Sequence, residues 1–350
     1  MTSATLPGLD LGRLTEFLGD RLPGGLAGPL RATLIAGGRS NLTYRLEDGR
    51  SRWILRRPPL GHVLPTAHDM SREATVMHAL GPTEIPVPQV LVTCEDVDVI
   101  GAGFYLMEHV DGVVHRTDAD LAALTDRQAK ALSRSLVDVL AALHTTDHVA
   151  VGLAGFGRPD GYVDRQVRRW GVQYESSKSR EVSGFDRLAE MVGGERPRPQ
   201  PAAIVHGDYR QDNVITAVDD PGRILAVLDW EMATIGDPLT DLGMLAVYWA
   251  GWAGLNNCNP ITGVPGDHPS FPGVAELVAQ YGERTGFDLT DLDWYIGFAF
   301  YKLAVILEGI HFRYVQKQTV GEGFEGIGAM VPELVTRGIA TLERRHGLQP

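Results

Sequence analysis

Apolar residues recur along this chain in two rhythms, and the change falls at Met107-Glu-His-Val-Asp-Gly112. Before it the runs are short and separated by turn residues, as in strands. Asp10 caps a short helix over Leu11 to Leu18, which Pro23-Gly-Gly25 ends. Arg31 to Ile35, Leu42-Thr-Tyr-Arg-Leu46 and Arg52-Trp-Ile-Leu-Arg56 read as antiparallel strands, the last two joined at Asp48-Gly49. A two-residue turn there sets Arg56 opposite Asn41. Asp69 caps a predicted helix from Met70 to Leu80, with Glu73 in its first turns and Gly81 at its end. Gln89 to Thr93 and Phe104 to Glu108 follow as two more strands, separated by a polar turn region.

After residue 112 helical spacing takes over. Thr125-Asp-Arg-Gln128 has the form of a capping box, and Leu132, Leu136, Val139, Leu140 and Leu143 share the face of the helix it opens. Further helices are predicted over Tyr162 to Tyr174, Val274 to Arg284, Leu292 to Gln316 and Phe324 to Arg345. The pattern therefore predicts an α+β chain, with a small sheet lobe at 1-107, a hinge at 108-112 and a larger, mainly helical lobe at 113-350.

One stretch interrupts the helical lobe. His206-Gly-Asp208 breaks the apolar strand Ala202 to Val205, and Asp219-Asp-Pro-Gly222 lies between the apolar runs Asn213 to Thr216 and Arg223 to Leu228, as in a β-hairpin. If Val218 faces Arg223, Asn213 lies opposite Leu228 and Asp229 one step beyond, so a carboxamide and a carboxylate meet at one end of the hairpin. Asp208 precedes Asn213 in a loop that must bend back. Mg²⁺ takes such hard oxygen ligands, and a phosphoryl acceptor hydroxyl needs a positioned base. Buried Asp and Asn also brace tight turns without any chemistry. The combined spacing, with Asp229-Trp-Glu231 downstream, is what points to a phosphotransfer centre.

The glycine pair in Gly37-Gly38-Arg39-Ser40-Asn41 is by itself an ordinary turn signal. Its place beside Arg56 makes it a candidate phosphate cradle, with Glu73 as the partner that holds Arg56. Exposed backbone around the hinge can bond a planar base. Asp237 and Asp241 read as braces of the catalytic loop. His144 and His148 have a metal-pair spacing but no neighbouring Glu, and are read as surface histidines. Arg165, Arg168, Arg169, Lys178 and Arg180 are read as a solvated face, with an anionic substrate as the lesser alternative.

Composition narrows the classes. The 350 residues carry a formal charge of −12, which argues against a general nucleic-acid binder. Cys94 and Cys258 lie far apart without metal-like spacing, a usage that fits a reducing cytoplasm. The sequence offers no secretion signal and no uninterrupted apolar run of membrane-spanning length, so no membrane role is expected. Only four lysines occur and none precedes Lys130, so any cation needed in the first lobe is arginine or histidine.

His206-Gly-Asp208 with Asn213 and Asp229-Trp-Glu231 resembles the aminoglycoside phosphotransferase and choline kinase-like family, which shares the protein-kinase-like two-lobed fold. More narrowly, Leu55-Arg-Arg-Pro-Pro59, Arg72-Glu73, Tyr162 with Arg165 to Trp170, and Phe300-Tyr-Lys-Leu303 resemble the kinase-like module associated with acyl-CoA dehydrogenases. The resemblance implies ATP and Mg²⁺ as cofactors. Asp208 would orient or deprotonate the acceptor hydroxyl, Asn213 and Asp229 would hold Mg²⁺, Arg56 and Glu73 would serve the nucleotide phosphates, and Met107, Glu108 and Val110 would line the base site. His206, Glu231 and Asp241 would support the loop.

The expected activity is transfer of the γ-phosphate to a hydroxyl of a small molecule, a hydroxyacyl-CoA or hydroxy acid, in work alongside an acyl-CoA dehydrogenase. An aminoglycoside or amino-alcohol acceptor is the first alternative, and a nucleotide-binding pseudokinase the second. The pseudokinase reading is motivated by Arg56 standing where kinases generally have lysine and by a glycine loop lacking the full Gly-x-Gly-x-x-Gly pattern. Oligomeric state is not legible.

Overall fold

The computed structural model describes residues 6–19, 21–35, 41–60, 69–251, 263–319 and 324–345. Two compact units emerge, one of Met1–Gly112 with Leu225–Ala233, the other of Val113–Ile224 with Thr234–Pro350.

In the first unit, helix α1 (Leu11–Gly19) is followed by strands β1 (Arg31–Leu34), β2 (Leu42–Glu47) and β3 (Arg52–Arg57), helix α2 (Met70–Leu80), β4 (Val90–Cys94), the short α3 (Val97–Ile100) and β5 (Phe104–Glu108). The five strands form one antiparallel sheet in the order β1-β2-β3-β5-β4. Alternation along each strand assigns the two faces. Tyr44 and Leu46 of β2, Trp53 and Leu55 of β3, and Phe104 and Leu106 of β5 pack with Leu14 and Leu18 of α1. The opposite parity, Thr43, Arg56 and Tyr105, lies side by side on the other face, since Arg56 is paired with Thr43 on one side and Tyr105 on the other.

The β2–β3 register corrects the expected pairing of Arg56 with Asn41. Asp48 caps its own turn, accepting from the backbone N–H groups of Arg50 and Ser51 and from that of Ala27. The loop is thereby longer than two residues, Glu47 pairs with Arg52, and Arg56 moves to Thr43. A slip of two leaves parity unchanged, so Arg56 keeps its face.

The second unit contains α4 (Asp118–Ala122), α5 (Asp126–Thr145), α6 (Tyr162–Ser177), α7 (Phe185–Gly193), β6 (Ala203–Val205), β7 (Val214–Thr216), the start of β8 (Ile224–Val227), β9 (Thr234–Gly236), α8 (Leu239–Ala250), α9 (Val274–Thr285), α10 (Leu292–Val315) and α11 (Ile327–Arg345). The predicted capping box opens α5, with Thr125 and Gln128 exchanging bonds. Strand β9 was not expected. It pairs antiparallel with β6 and sets the frame for the loop after Val205. Helix α10 is the spine: it packs on α11, α8 and α6. At its crossing with α8, a Cβ on Gly243 would stand 2.6 Å from the Tyr295 carbonyl oxygen, so only glycine permits this approach. By length and composition α10 would suit a membrane, but 72% of its most apolar window is buried within the protein.

Candidate active site

In the first unit the site assembles around Glu73. The apolar face of α2 carries Met70, Ala74, Met77 and Leu80, and Glu73 lies on that buried side. Asp69 starts the helix by accepting from the backbone N–H groups of Ser71 and Arg72. The buried carboxylate is met by the Tyr105 hydroxyl at 2.8 Å and the Asn41 amide at 3.0 Å, while Arg56 Nε lies 3.5 Å away. That last contact is an ion pair without a directed hydrogen bond. Burial pushes the Glu73 carboxyl up, and the Arg56 charge opposes the rise.

Arg56 is nearly enclosed, which works against its charge. Tyr105, Glu73 and Asp229 nevertheless hold its guanidinium above the usual arginine value. Arg56 Nη2 reaches Asp229 Oδ1 at 3.0 Å. Asp229 adopts φ 66° and ψ 61°, a left-handed conformation that side-chain-bearing residues seldom hold. A short 3-10 turn, Trp230–Met232, follows it, and the Trp230 indole donates to the Val227 carbonyl. Asn41 also donates to Glu231 at 3.2 Å. Six side chains thus form one polar network, whose sequence-invisible member was Tyr105. Alternation along β5 opposite Arg56 was the signal that places it.

Gly37, Gly38, Arg39 and Ser40 lie outside the described residues. Met107 is buried, Glu108 exposed and Val110 half-buried, and the Glu108 backbone N–H is already donated to the Gln89 carbonyl.

In the second unit the loop after β6 is anchored by Asp241. Its two carboxylate oxygens accept from the backbone N–H groups of His206, at 2.6 Å, and Gly207, at 2.8 Å. His144 Nε2 stands 3.2 Å from the same group, with its Nδ1 on the Tyr281 hydroxyl. This corrects the reading of His144 as a surface residue. Its partners come from α8 and α9, distant in sequence, and no local pattern announces them.

Burial alone would raise the Asp241 carboxyl, but the hydrogen bond and charge of His144, with His206, bring it below the ordinary value. The stability it contributes is therefore present above its unfolded pKa and lost as pH falls through the lower folded value. Asp241→Asn is expected to destabilise the protein by about 3 kcal/mol, because an amide cannot accept from two backbone donors and from His144 together. Urea denaturation at neutral pH checks this, and an unchanged midpoint would remove Asp241 from its anchoring role.

The anchored loop turns at Gly207, whose φ of 89° is open to glycine. The Lys302 ammonium donates to the Gly207 carbonyl at 2.8 Å. Asp208 follows, with its side chain 24% exposed. The Asn213 amide nitrogen donates to the Asp208 carbonyl at 2.8 Å and to its carboxylate at 3.1 Å. Arg210 lies 3.0 Å from Asp212 and 3.5 Å from Asp208, with its guanidinium 4.6 Å from the centre of the Tyr248 ring. Tyr248, one of the buried residues of α8, also bonds Asp208, and burial pushes its hydroxyl up. Asp241 and Tyr248 are two turns apart on α8, which puts the loop's anchor and a partner of Asp208 on one helix face.

The hairpin closes with the Ala217 N–H on the Arg223 carbonyl, and Asp220 caps the turn through Gly222. The expected closing pair was Val218 and Arg223; the Asp220 cap lengthens the loop and leaves Val218 exposed.

A family model described as the phosphotransferase enzyme family, APH, matches residues 31–295. The chain belongs to the APH phosphotransferase family. This APH chain is 34% identical over 345 residues to acyl-CoA dehydrogenase family member 11 of Gallus gallus, covering 96% of this chain and 44% of that protein. The rat protein of the same description is 33% identical over 319 residues, covering 89% of this chain and 41% of the relative. The APH chain thus spans less than half the length of these two curated relatives.

A solved structure from Ralstonia eutropha JMP134, assigned provisionally to the aminoglycoside phosphotransferases, superposes with a TM-score of 0.80 at 31% identity, covering 96% of this chain and 98% of that one. Choline kinase of Cryptosporidium parvum Iowa II superposes with a TM-score of 0.64 at 13% identity over 97% and 98% of the two chains, a likeness of fold. The APH chain is accordingly a small-molecule phosphotransferase with the kinase-like α+β fold, as its motifs implied.

Proposed function

We propose that this phosphotransferase moves the γ-phosphate of ATP to the hydroxyl of a hydroxyacyl-CoA or related hydroxy acid. The observation that carries the acceptor is the identity to acyl-CoA dehydrogenase family member 11 across nearly the whole of this chain. Work alongside an acyl-CoA dehydrogenase follows from the same likeness.

Asp208 orients the acceptor hydroxyl and takes its proton as the hydroxyl oxygen bonds the γ-phosphorus and the bridging P–O bond to the departing ADP breaks. Its partly exposed carboxylate is held by Asn213, Arg210 and Tyr248. Arg56, paired with Glu73, grips the nucleotide phosphates, and Glu108, through its carbonyl, and Val110 offer backbone to the base. Asn213 and Asp229 are the residues that would hold Mg²⁺, and their chemistry suits it. The Asn213 nitrogen is committed to Asp208, so the carboxamide oxygen is its ligating end, and Asp229 supplies a carboxylate whose side chain is 35% exposed. Held there, the ion would supply charge neutralisation at the transferring phosphoryl group. With metal and phosphate held in this way, positioning is this chain's main contribution to the rate.

The provisional assignment of the Ralstonia structure favours a second acceptor class, aminoglycosides and amino-alcohols. Transfer of labelled γ-phosphate should be screened across hydroxyacyl-CoAs, free hydroxy acids, amino-alcohols and aminoglycosides. Hydroxyacyl compounds are expected to be the best acceptors. Preference for the amine-bearing compounds would overturn that acceptor, and tight ATP binding with no acceptor at all would identify a pseudokinase.

A further inference from the structure

Helix α10 is mostly apolar, yet Lys302 lies in its buried stretch, where a cation is costly. Burial lowers the Lys302 ammonium, and the charges of Asp208 and Asp241 oppose that fall. Asp241 is already committed to His206, Gly207 and His144. An ammonium has three donors, and among the described residues the Gly207 carbonyl is the one acceptor that Lys302 meets. Its remaining donors are unspent beside the loop that carries Asp208.

A second, independent observation lies on α6, which packs on α10. The indole Nε1 of Trp170 is buried and meets no hydrogen-bond acceptor among the described residues. The centre of its ring is 5.6 Å from the Lys302 ammonium and 5.7 Å from the Arg169 guanidinium. A buried donor of this kind is costly unless something else completes it. Two cations over the Trp170 ring disfavour an amine nearby and favour an electron-rich oxygen.

We propose that Lys302 and Trp170 form an acceptor subsite that binds a carbonyl or carboxylate oxygen of the hydroxyl-bearing substrate. The proposal rests on the phosphotransferase reading above and deepens it. The oxygen has two chemical sources, the thioester carbonyl of a hydroxyacyl-CoA and the carboxylate of a free hydroxy acid. In either case Lys302 links the subsite to the catalytic loop, because the same ammonium holds the Gly207 carbonyl, one residue before Asp208.

The test uses the full chain labelled with ¹⁵N at its tryptophan indoles, and Trp170→Phe to assign the Trp170 resonance. Butyryl-CoA and butyrate, which lack a hydroxyl on the acyl chain, serve as probes. The Trp170 indole N–H resonance is expected to move downfield with one of them; butyryl-CoA identifies the thioester source and butyrate the free acid. In steady-state assays, Trp170→Phe and Lys302→Met should each raise KM for the carbonyl-bearing acceptor by about tenfold, the cost of one hydrogen bond to a charged or polar partner, and leave KM for ATP unchanged.

If Lys302 only props the loop, Lys302→Met lowers kcat with every acceptor and Trp170→Phe is silent. That result, or an indole resonance unmoved by both probes at millimolar concentration, overturns the subsite while leaving phosphotransfer intact. A resonance that moves in a protein transferring phosphate to nothing would keep the subsite and sink the phosphotransfer reading. Should Lys302→Met fail to fold, the Trp170 measurements decide alone.

Discussion

Asp208→Asn is expected to bind Mg·ATP as the wild type does and to transfer phosphate about a thousandfold more slowly, the loss typical of a missing general base. The substitution is conservative where it needs to be. Asn213 keeps its bond to the Asp208 backbone carbonyl, and an amide oxygen can replace the carboxylate oxygen that Asn213 also meets. The Asp241 anchors act on the backbone of His206 and Gly207, upstream of the change. What disappears is the negative charge and the proton-accepting capacity at one partly exposed group. Labelled γ-phosphate transfer measures the rate, and calorimetric titration with Mg·ATP measures the binding. Equal rates in the two proteins would show that Asp208 has no such role.

The features legible in the sequence are those governed by local rules. Two-residue alternation separated the apolar face of the sheet from the face carrying Arg56, and the helix start at Asp69 put Glu73 on α2. Turn sizes were less legible, because Asp48 and Asp220 each cap a longer loop through their own side chains, a choice that dipeptide signals do not register. Strand β9, three residues long, exists through its pairing with β6 and has no pattern of its own. The buried partners were hardest. His144, Lys302 and Trp170 acquire their contacts from segments far apart in the chain, and the apolar stripe of α10 does not announce that its lysine is buried. Tyr105 is half an exception, since cross-strand geometry predicts its neighbour once the sheet order is known.

Arg56→Ala is expected to raise KM for ATP by at least tenfold and to destabilise the first unit by about 3 kcal/mol, the cost of leaving a buried carboxylate without its cation. Glu73 retains Tyr105 and Asn41 as donors, but neither carries charge. The double variant Arg56→Ala with Glu73→Gln should recover much of the stability and none of the nucleotide affinity. A glutamine can still accept from Tyr105 or Asn41 and brings no unpaired charge, so the cycle separates the structural cost from the functional one. Arg56→Lys is a harder replacement than its charge implies. One ammonium must serve Glu73 and Asp229, which the arginine reaches with different nitrogens.

Burial already raises Glu73, and the Arg56 charge is what opposes that rise. Without Arg56 the folded protein binds the Glu73 proton more tightly than the unfolded chain does, so folding is favoured as pH falls. The stability of Arg56→Ala should gain on that of the double variant, which has no carboxylate at 73, as pH falls from about 8 to about 5. Urea denaturation of both proteins across this range measures the difference. A difference between the two variants that does not change with pH would mean that the cost of Arg56→Ala comes from lost packing, and that Glu73 and Arg56 are not a coupled pair.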